Sequence, residues 1–165
     1  MINKYMKHFN VDIELKPQDK QWIYNVGNNI AEPAWTIRPY KLTQAEMERL
    51  SYAFPLQPEY AAIIMVPANT MCKTHVDNKA AASSERQRIT AINIPIAVHK
   101  TSVFQYMESL DSNVVLETVG LQTPKCWRVD IPHRVDNRLS PFNRVVLSLS
   151  FTQTVGEIYE IYTRT

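Results

Sequence analysis

Glycine is scarce in this sequence, with three in 165 residues at Gly27, Gly120 and Gly156. That scarcity excludes a glycine-rich phosphate loop. Neither a GxGxxG nor a Walker-type pattern is present, so nucleotide-dependent chemistry is disfavoured. Cysteine is nearly absent too. Cys72 and Cys126 are not spaced as a CxxC pair, and two thiols cannot build a disulfide-dense scaffold or a thiolate zinc site. They are expected to be small buried hydrophobes. Charge of one sign is not in excess. The 18 Lys+Arg against 16 Asp+Glu leave a formal +2, which argues against a dedicated nucleic-acid binder. No apolar run approaches the roughly 20 residues of a membrane span. The first twenty residues mix charge with apolar side chains and have no continuous apolar stretch of the secretory-leader type. The expectation is a cytoplasmic chain with neither a membrane nor a nucleic acid as partner.

What is present is ordinary globular composition, 45% hydrophobic and 21% charged, in a chain long enough for one sizeable core. A single domain is expected over 1–165, divided into a mixed α/β buttress (1–59) and a jelly-roll core (60–165). The alternation Val-Asp-Ile-Glu-Leu over 11–15 predicts a half-buried strand. Residues 43–54 predict a helix: Thr43 and Glu46 match the capping box, and Leu42 is placed as the staple residue. Met47, Leu50 and Phe54 fall on one face, and Pro55 and Pro58 end the run. From Tyr60 onward strand-like runs follow one another at 61–66, 71–76, 88–96, 102–107, 113–119, 125–131 and 144–152. Breakers such as Pro67-Ala-Asn69 and Pro124 separate them. No helical pattern lies between consecutive strands, so a mainly β sandwich or jelly roll is expected rather than a parallel βαβ sheet. The segment 157–162 fits a strand or a short helix.

Two of the four histidines sit in unusual company. In Thr74-His75-Val76-Asp77, a strand would put His75 and Asp77 on one face. An imidazole beside a carboxylate is two-thirds of a facial metal site, and His133 in Ile131-Pro132-His133-Arg134-Val135-Asp136-Asn137 is the candidate third ligand. Two His and one carboxylate leave open positions on one side of the metal, as in non-haem Fe(II) oxygenases. Taken singly, HxD also fits a surface or hydrogen-bonded histidine. Arg144, which opens the run Arg144-Val-Val-Leu-Ser-Leu-Ser, needs an anion if buried, and its fork suits a carboxylate. A structural salt bridge or exposure at the strand end is the competing reading.

His75-x-Asp77, His133 fifty-eight residues on and Arg144 eleven later together resemble the 2-oxoglutarate/Fe(II)-dependent dioxygenase superfamily. The segment 127–137 followed by 144–150 is similar to the PHxVxN…R run of its aspartyl/asparaginyl β-hydroxylase-like and related small hydroxylase branches. Residues 88–96 resemble the strand that follows the HxD ligands there. The resemblance spans roughly 60–151. It implies a double-stranded β-helix of the jelly-roll, cupin-like kind with N-terminal helical elements. It implies Fe(II) on His75, Asp77 and His133, with Arg144 on the distal carboxylate of 2-oxoglutarate as cosubstrate. It implies O2 and a further substrate, oxidised at a C–H bond while 2-oxoglutarate becomes succinate. Val146 stands where some branches carry a serine two residues after the arginine, and Ser150 where the nucleic-acid demethylases carry a second arginine. An arginine at 144 replaces the lysine typical of collagen-type prolyl hydroxylases.

Asn93, on an expected core strand, is a candidate for the iron-side carboxylate of the cosubstrate, or a buried amide satisfied by backbone. Gln105 or Tyr106 points inward according to register. Trp127 is expected in the core, Asn137 as a brace for the His133 loop, and His8 and His99 as structural or exposed. Segment 78–88 reads as a lid or as a plain surface loop, with Arg86 solvated. A carboxylate-bearing substrate would require a second basic group, with Lys73, Arg88, Arg128 and Arg134 as candidates. Two other functions stay open: a cupin-like metal-binding module without oxygenase activity, and a non-catalytic β-sandwich interaction protein. Convergence of His75, Asp77 and His133 on one centre separates these readings.

Overall fold

The computed structural model describes residues 5–30, 38–77 and 88–164. In chain order the elements are β1 (His8–Asn10), α1 (Pro17–Asn28), β2 (Arg38–Lys41), α2 (Gln44–Leu50), a 3-10 turn (Ser51–Ala53), β3 (Tyr60–Val66) and β4 (Thr70–Met71). There follow β5 (Thr90–Ala97), β6 (Val103–Met107), β7 (Val115–Gly120), β8 (Lys125–Arg128), β9 (His133–Asn137), β10 (Arg144–Phe151) and α3 (Val155–Thr163). The strands form two antiparallel sheets. The larger runs β1-β8-β5-β10-β3-β2 and the smaller β4-β9-β6-β7. The mainly β expectation holds, as do the strands that became β3, β5, β6, β7 and β10.

The period of two sorts the large sheet's side chains into two layers. Along β10 the odd residues Val145, Leu147, Leu149 and Phe151 enter a core shared with Ile23 of α1, Met47 and Leu50 of α2 and Ile158 of α3. The even residues Arg144, Ser148 and Ser150 line a cavity between the sheets. All eight residues of β10 are buried. A second core, with Phe104, Tyr106, Val119, Trp127 and Val135, fills the rest of the inter-sheet space.

The predicted capping box is present: Thr43 Oγ1 accepts from the Glu46 N–H while Glu46 accepts from the Thr43 N–H. Helix α2 stops at Leu50 and tightens into the 3-10 turn. Thr154 and Glu157 form a second capping box that starts α3, so the undecided C-terminal segment is helical. The strand expected at 11–15 does not form. The ladder of β1 runs His8↔Trp127 to Asn10↔Lys125. Its continuation meets Pro124, which accepts from the Val11 N–H but has no N–H to return. Val11 and Leu15 are nonetheless buried. Of the run 71–76, only Met71 lies in a ladder strand; of 125–131, the ladder covers Lys125–Arg128.

Helix α1 is laid on the sheet through Gly27. A Cβ there would stand 2.5 Å from Val145 Cγ1 and 3.1 Å from Val145 Cγ2. Val145 is a buried, β-branched strand residue that cannot swing aside. Gly27→Ala is therefore expected to destabilise the fold by about 1–3 kcal/mol through overpacking. This outweighs the gain of up to about 1 kcal/mol in helix propensity. Urea unfolding checks it; an unchanged or raised midpoint would refute the close packing.

Candidate functional site

The small sheet brings the two histidines together. His75 and His133 form an isolated antiparallel bridge and exchange both backbone hydrogen bonds, each 2.9 Å. Residues so opposed project side by side on one face, and the two rings lie 4.5 Å apart. His75 reaches this position through an irregularity. Cys72 pairs by its N–H with the Val135 carbonyl, and His75 with His133. Three steps along one strand thus oppose two along the other. The extra residue, a bulge, turns both Cys72 and His75 toward the cavity. Asp77 is anchored by its N–H on the Val129 carbonyl at 2.8 Å.

One ligand atom from each of His75, Asp77 and His133 lies within 4.8 Å of the others. Asp77 Oδ1 is 3.2 Å from His75 Nε2, and Asp77 Oδ2 is 3.7 Å from His133 Nε2. Each imidazole has its other nitrogen, Nδ1, against a backbone carbonyl: Lys73 at 2.7 Å for His75, Ile131 at 2.8 Å for His133. A carbonyl only accepts, so Nδ1 carries a proton, and in the neutral ring Nε2 is left with a lone pair that could coordinate a metal. Phe104 stacks on His133 at 5.0 Å and on Trp127 at 4.1 Å, fixing the buried imidazole from behind.

Burial favours a neutral Asp77, but the His75 hydrogen bond and the Arg88 charge overcome it and hold the carboxyl at about 2. Burial likewise disfavours protonated His75, yet the Asp77 hydrogen bond and charge win and raise it above its ordinary value. His133, deeper and 3% exposed, is pushed down to about 4 by burial, with Asp77 only partly offsetting.

These three side chains open into a cavity of about 620 Å³, within the range of small-molecule sites. Arg144 lines it and is buried, 1% exposed. Its Nε and Nη2 have no hydrogen-bond partner. Burial draws its pKa down to about 10. Its burial excludes the exposed reading, and among the described residues no carboxylate forms the salt bridge of the competing one. A desolvated guanidinium in this state is costly unless an anion joins it. Asn93 also lines the cavity, and its Oδ1 is buried and unpaired. Tyr106, not Gln105, points inward; its hydroxyl bonds the Lys7 and Arg128 carbonyls. Asn137 is a brace, but for the Val66, Pro67 and Phe142 carbonyls, from within β9.

Four wall residues were weakly marked or unmarked in the sequence. Arg88 is half of an ion pair with Asp77 Oδ2 at 3.1 Å and donates to Ser148 Oγ at 3.0 Å. Trp127, expected in the core, is buried there and also presents an unpaired Nε1–H among the cavity walls. Tyr60 and Lys41 complete one end of the cavity. Of the four basic candidates for a substrate charge, Lys73 and Arg88 line it. Arg128 instead pairs with Asp130, and Arg134 with Gln105. His8 pairs with Glu117 and His99 with Thr101, both away from the site. Arg86 and most of the loop expected at 78–88 lie outside the described residues.

No family model and no curated protein matches the chain. Solved structures do. HygX from Streptomyces hygroscopicus, with nickel and 2-oxoglutarate bound, has a TM-score of 0.59 at 10% identity, over 90% of this chain and 84% of that one. The viral collagen prolyl hydroxylase of Paramecium bursaria Chlorella virus-1, in complex with 2-oxoglutarate, has a TM-score of 0.55 at 8% identity, over 91% and 98%. A Pseudomonas putida prolyl-4-hydroxylase has 0.52 at 11%, over 90% and 94%. These are likenesses of fold. They agree with the jelly-roll architecture expected from the strand pattern.

Proposed function

We propose that this protein is an Fe(II)/2-oxoglutarate-dependent dioxygenase that hydroxylates a C–H bond of an amino-acid, peptide or small-molecule substrate. Written in balance, 2-oxoglutarate, O2 and R–H give succinate, CO2 and R–OH. The observation that carries the reading is Arg144, a buried guanidinium with unpaired N–H groups on the cavity that also holds the His75–Asp77–His133 cluster. A facial set of two imidazoles and a carboxylate supplies a metal with three protein ligands and leaves adjacent positions for exogenous ones. A basic residue elsewhere on the same cavity suits a cosubstrate with a chelating end and a free carboxylate end. Two proteins similar in fold bind these groups: HygX was solved with nickel and 2-oxoglutarate and with iron, and the viral prolyl hydroxylase with 2-oxoglutarate. The sequence segment 127–137 supports a place near the aspartyl/asparaginyl β-hydroxylase-like branch.

The residues present fit these groups. His75, Asp77 and His133 would hold the metal through Nε2, a carboxylate oxygen and Nε2. Arg144 would receive the distal carboxylate as a fork, and the Trp127 indole N–H can donate to the iron-side carboxylate or keto oxygen. Asn93 would act in the same place through its amide N–H donors. Bound together, iron and 2-oxoglutarate supply the activation of O2 and the oxidising power. The chain's own work is positioning and exclusion of water. The backbone carbonyls of Lys73 and Ile131 fix the imidazole tautomers. Phe104 fixes the His133 ring, and Arg88 holds the Asp77 carboxylate by its Oδ2 at 3.1 Å.

The test is anaerobic titration with Fe(II) and 2-oxoglutarate, watched for the weak visible charge-transfer band of a keto acid chelated to iron. A band that requires both additions and vanishes in His75→Ala is the expected result. Metal uptake without a band would point to a cupin-like binding module instead, and no uptake would leave only the fold.

A further inference from the structure

The walls of the cavity are far more basic than the chain. Among the described residues they carry Lys41, Lys73, Arg88 and Arg144 against one carboxylate, Asp77, whereas the whole sequence is nearly balanced. A divalent metal and a dicarboxylate cosubstrate cancel each other's charge and leave this excess standing. The cations also divide in space. Arg144 opens β10, whereas Lys41 lies opposite Ala62, the partner of Ser148 in β10, and Arg88 donates to the Ser148 hydroxyl. Four steps of strand separate Arg144 from Ser148, roughly 13 Å of backbone. The five-carbon 2-oxoglutarate spans roughly 5 Å between its terminal carbons and cannot serve both ends.

At the second end, two cations share one aromatic ring. Arg88 lies 5.9 Å and the Lys41 ammonium 5.3 Å from the centroid of Tyr60. Arg88 Nε is buried without a partner, and so is the hydroxyl of Ser150, which lies opposite Tyr60 and also lines the cavity. Asp77 takes only one guanidinium nitrogen, and metal coordination would draw on the same carboxylate. Pro39, Ala62 and Ile64 make the adjoining wall apolar.

We infer that the primary substrate is a small organic acid, an apolar body carrying a carboxylate that Lys41 and Arg88 receive at the Tyr60 end while a C–H bond faces the metal. The inference rests on the proposed function, and its test separates the two. The full chain is loaded with Ni(II), which replaces the O2-reactive iron, and with saturating 2-oxoglutarate, whose own binding is recorded first. Two matched pairs are then titrated by ligand-observed NMR: 4-methylpentanoate with 4-methylpentanamide, and 3-phenylpropanoate with 3-phenylpropanamide. Each acid is expected to bind about tenfold more tightly than its amide, the weight of one charge-assisted hydrogen bond. Lys41→Glu should erase that preference without changing amide affinity. Acids and amides binding alike, or neither binding to protein that has taken up 2-oxoglutarate, would overturn the inference and spare the oxygenase reading. Failure to bind 2-oxoglutarate, with the acid preference intact, would do the reverse.

Discussion

Replacing Arg144 by methionine is expected to make the ligand-free protein more stable and to remove its response to 2-oxoglutarate. The two effects have one cause. Arg144 is buried in the cavity wall with two unpaired nitrogens, and a desolvated charge without a counter-ion costs the folded state. A methionine of similar length fills the space with no charge to desolvate, and such replacements stabilise by about 1–4 kcal/mol. For a domain of this size that is roughly 2–4 °C in Tm for each kcal/mol. In the wild type the cosubstrate should return that stability on binding. In Arg144→Met it should not, because a buried, hydrogen-bonded charge pair has lost one member at a cost of about 2–5 kcal/mol. Melting curves with and without 2-oxoglutarate, at fixed Ni(II), read both effects. Equal cosubstrate affinity in the two proteins would refute the role given to Arg144. A purely structural arginine would show the opposite sign, a lowered Tm without ligand.

Much of the site was legible because its residue types are rare and their order is ordered in sequence: four histidines in the chain, two of them near acidic neighbours. The route to the geometry was less visible. His75 and Asp77 do not share a regular strand; a bulge after Cys72 turns His75 inward. Strand β9, which carries His133, was not expected at all. Its buried positions are His133, Val135 and Asn137, a period-two pattern whose inward residues are mostly polar, so hydrophobic alternation cannot register it. Helix α1 was missed for a related reason. Its buried residues are Asp19, Ile23 and Gly27, an anionic group, one aliphatic and a contact through a missing side chain. Asp19 is satisfied by Arg49 and by the Tyr52 hydroxyl from across the fold, partners no local window contains. Strand β2 holds a proline, tolerated because it is an edge strand at the end of the large sheet. Arg88 was left open between solvent and substrate, since whether a cation is buried depends on an acid that the fold, not the spacing, brings alongside.

The second large effect concerns the metal. His75→Ala, Asp77→Ala and His133→Ala are each expected to lower Ni(II) or Fe(II) affinity by more than about 100-fold, because altering even the outer partners of metal ligands costs 10–100-fold. The three variants should differ in stability, which makes the comparison informative. His133 is buried and stacked on Phe104, so its removal opens a hole in the inter-sheet core. Asp77→Ala leaves the largely buried Arg88, among the described residues, with Ser148 as its side-chain partner, and an uncompensated buried charge destabilises strongly. His75 is one-third exposed and its backbone bridge to His133 does not depend on its ring. His75→Ala should therefore stay folded, with a melting temperature close to the metal-free wild type, and still fail to take up metal. Calorimetric titration of that variant isolates coordination from folding. Retention of wild-type affinity in a folded His75→Ala protein would break the facial cluster as a metal site. The oxygenase reading would fall with it, because Arg144 would then face a cavity with nothing to hold the other end of the cosubstrate.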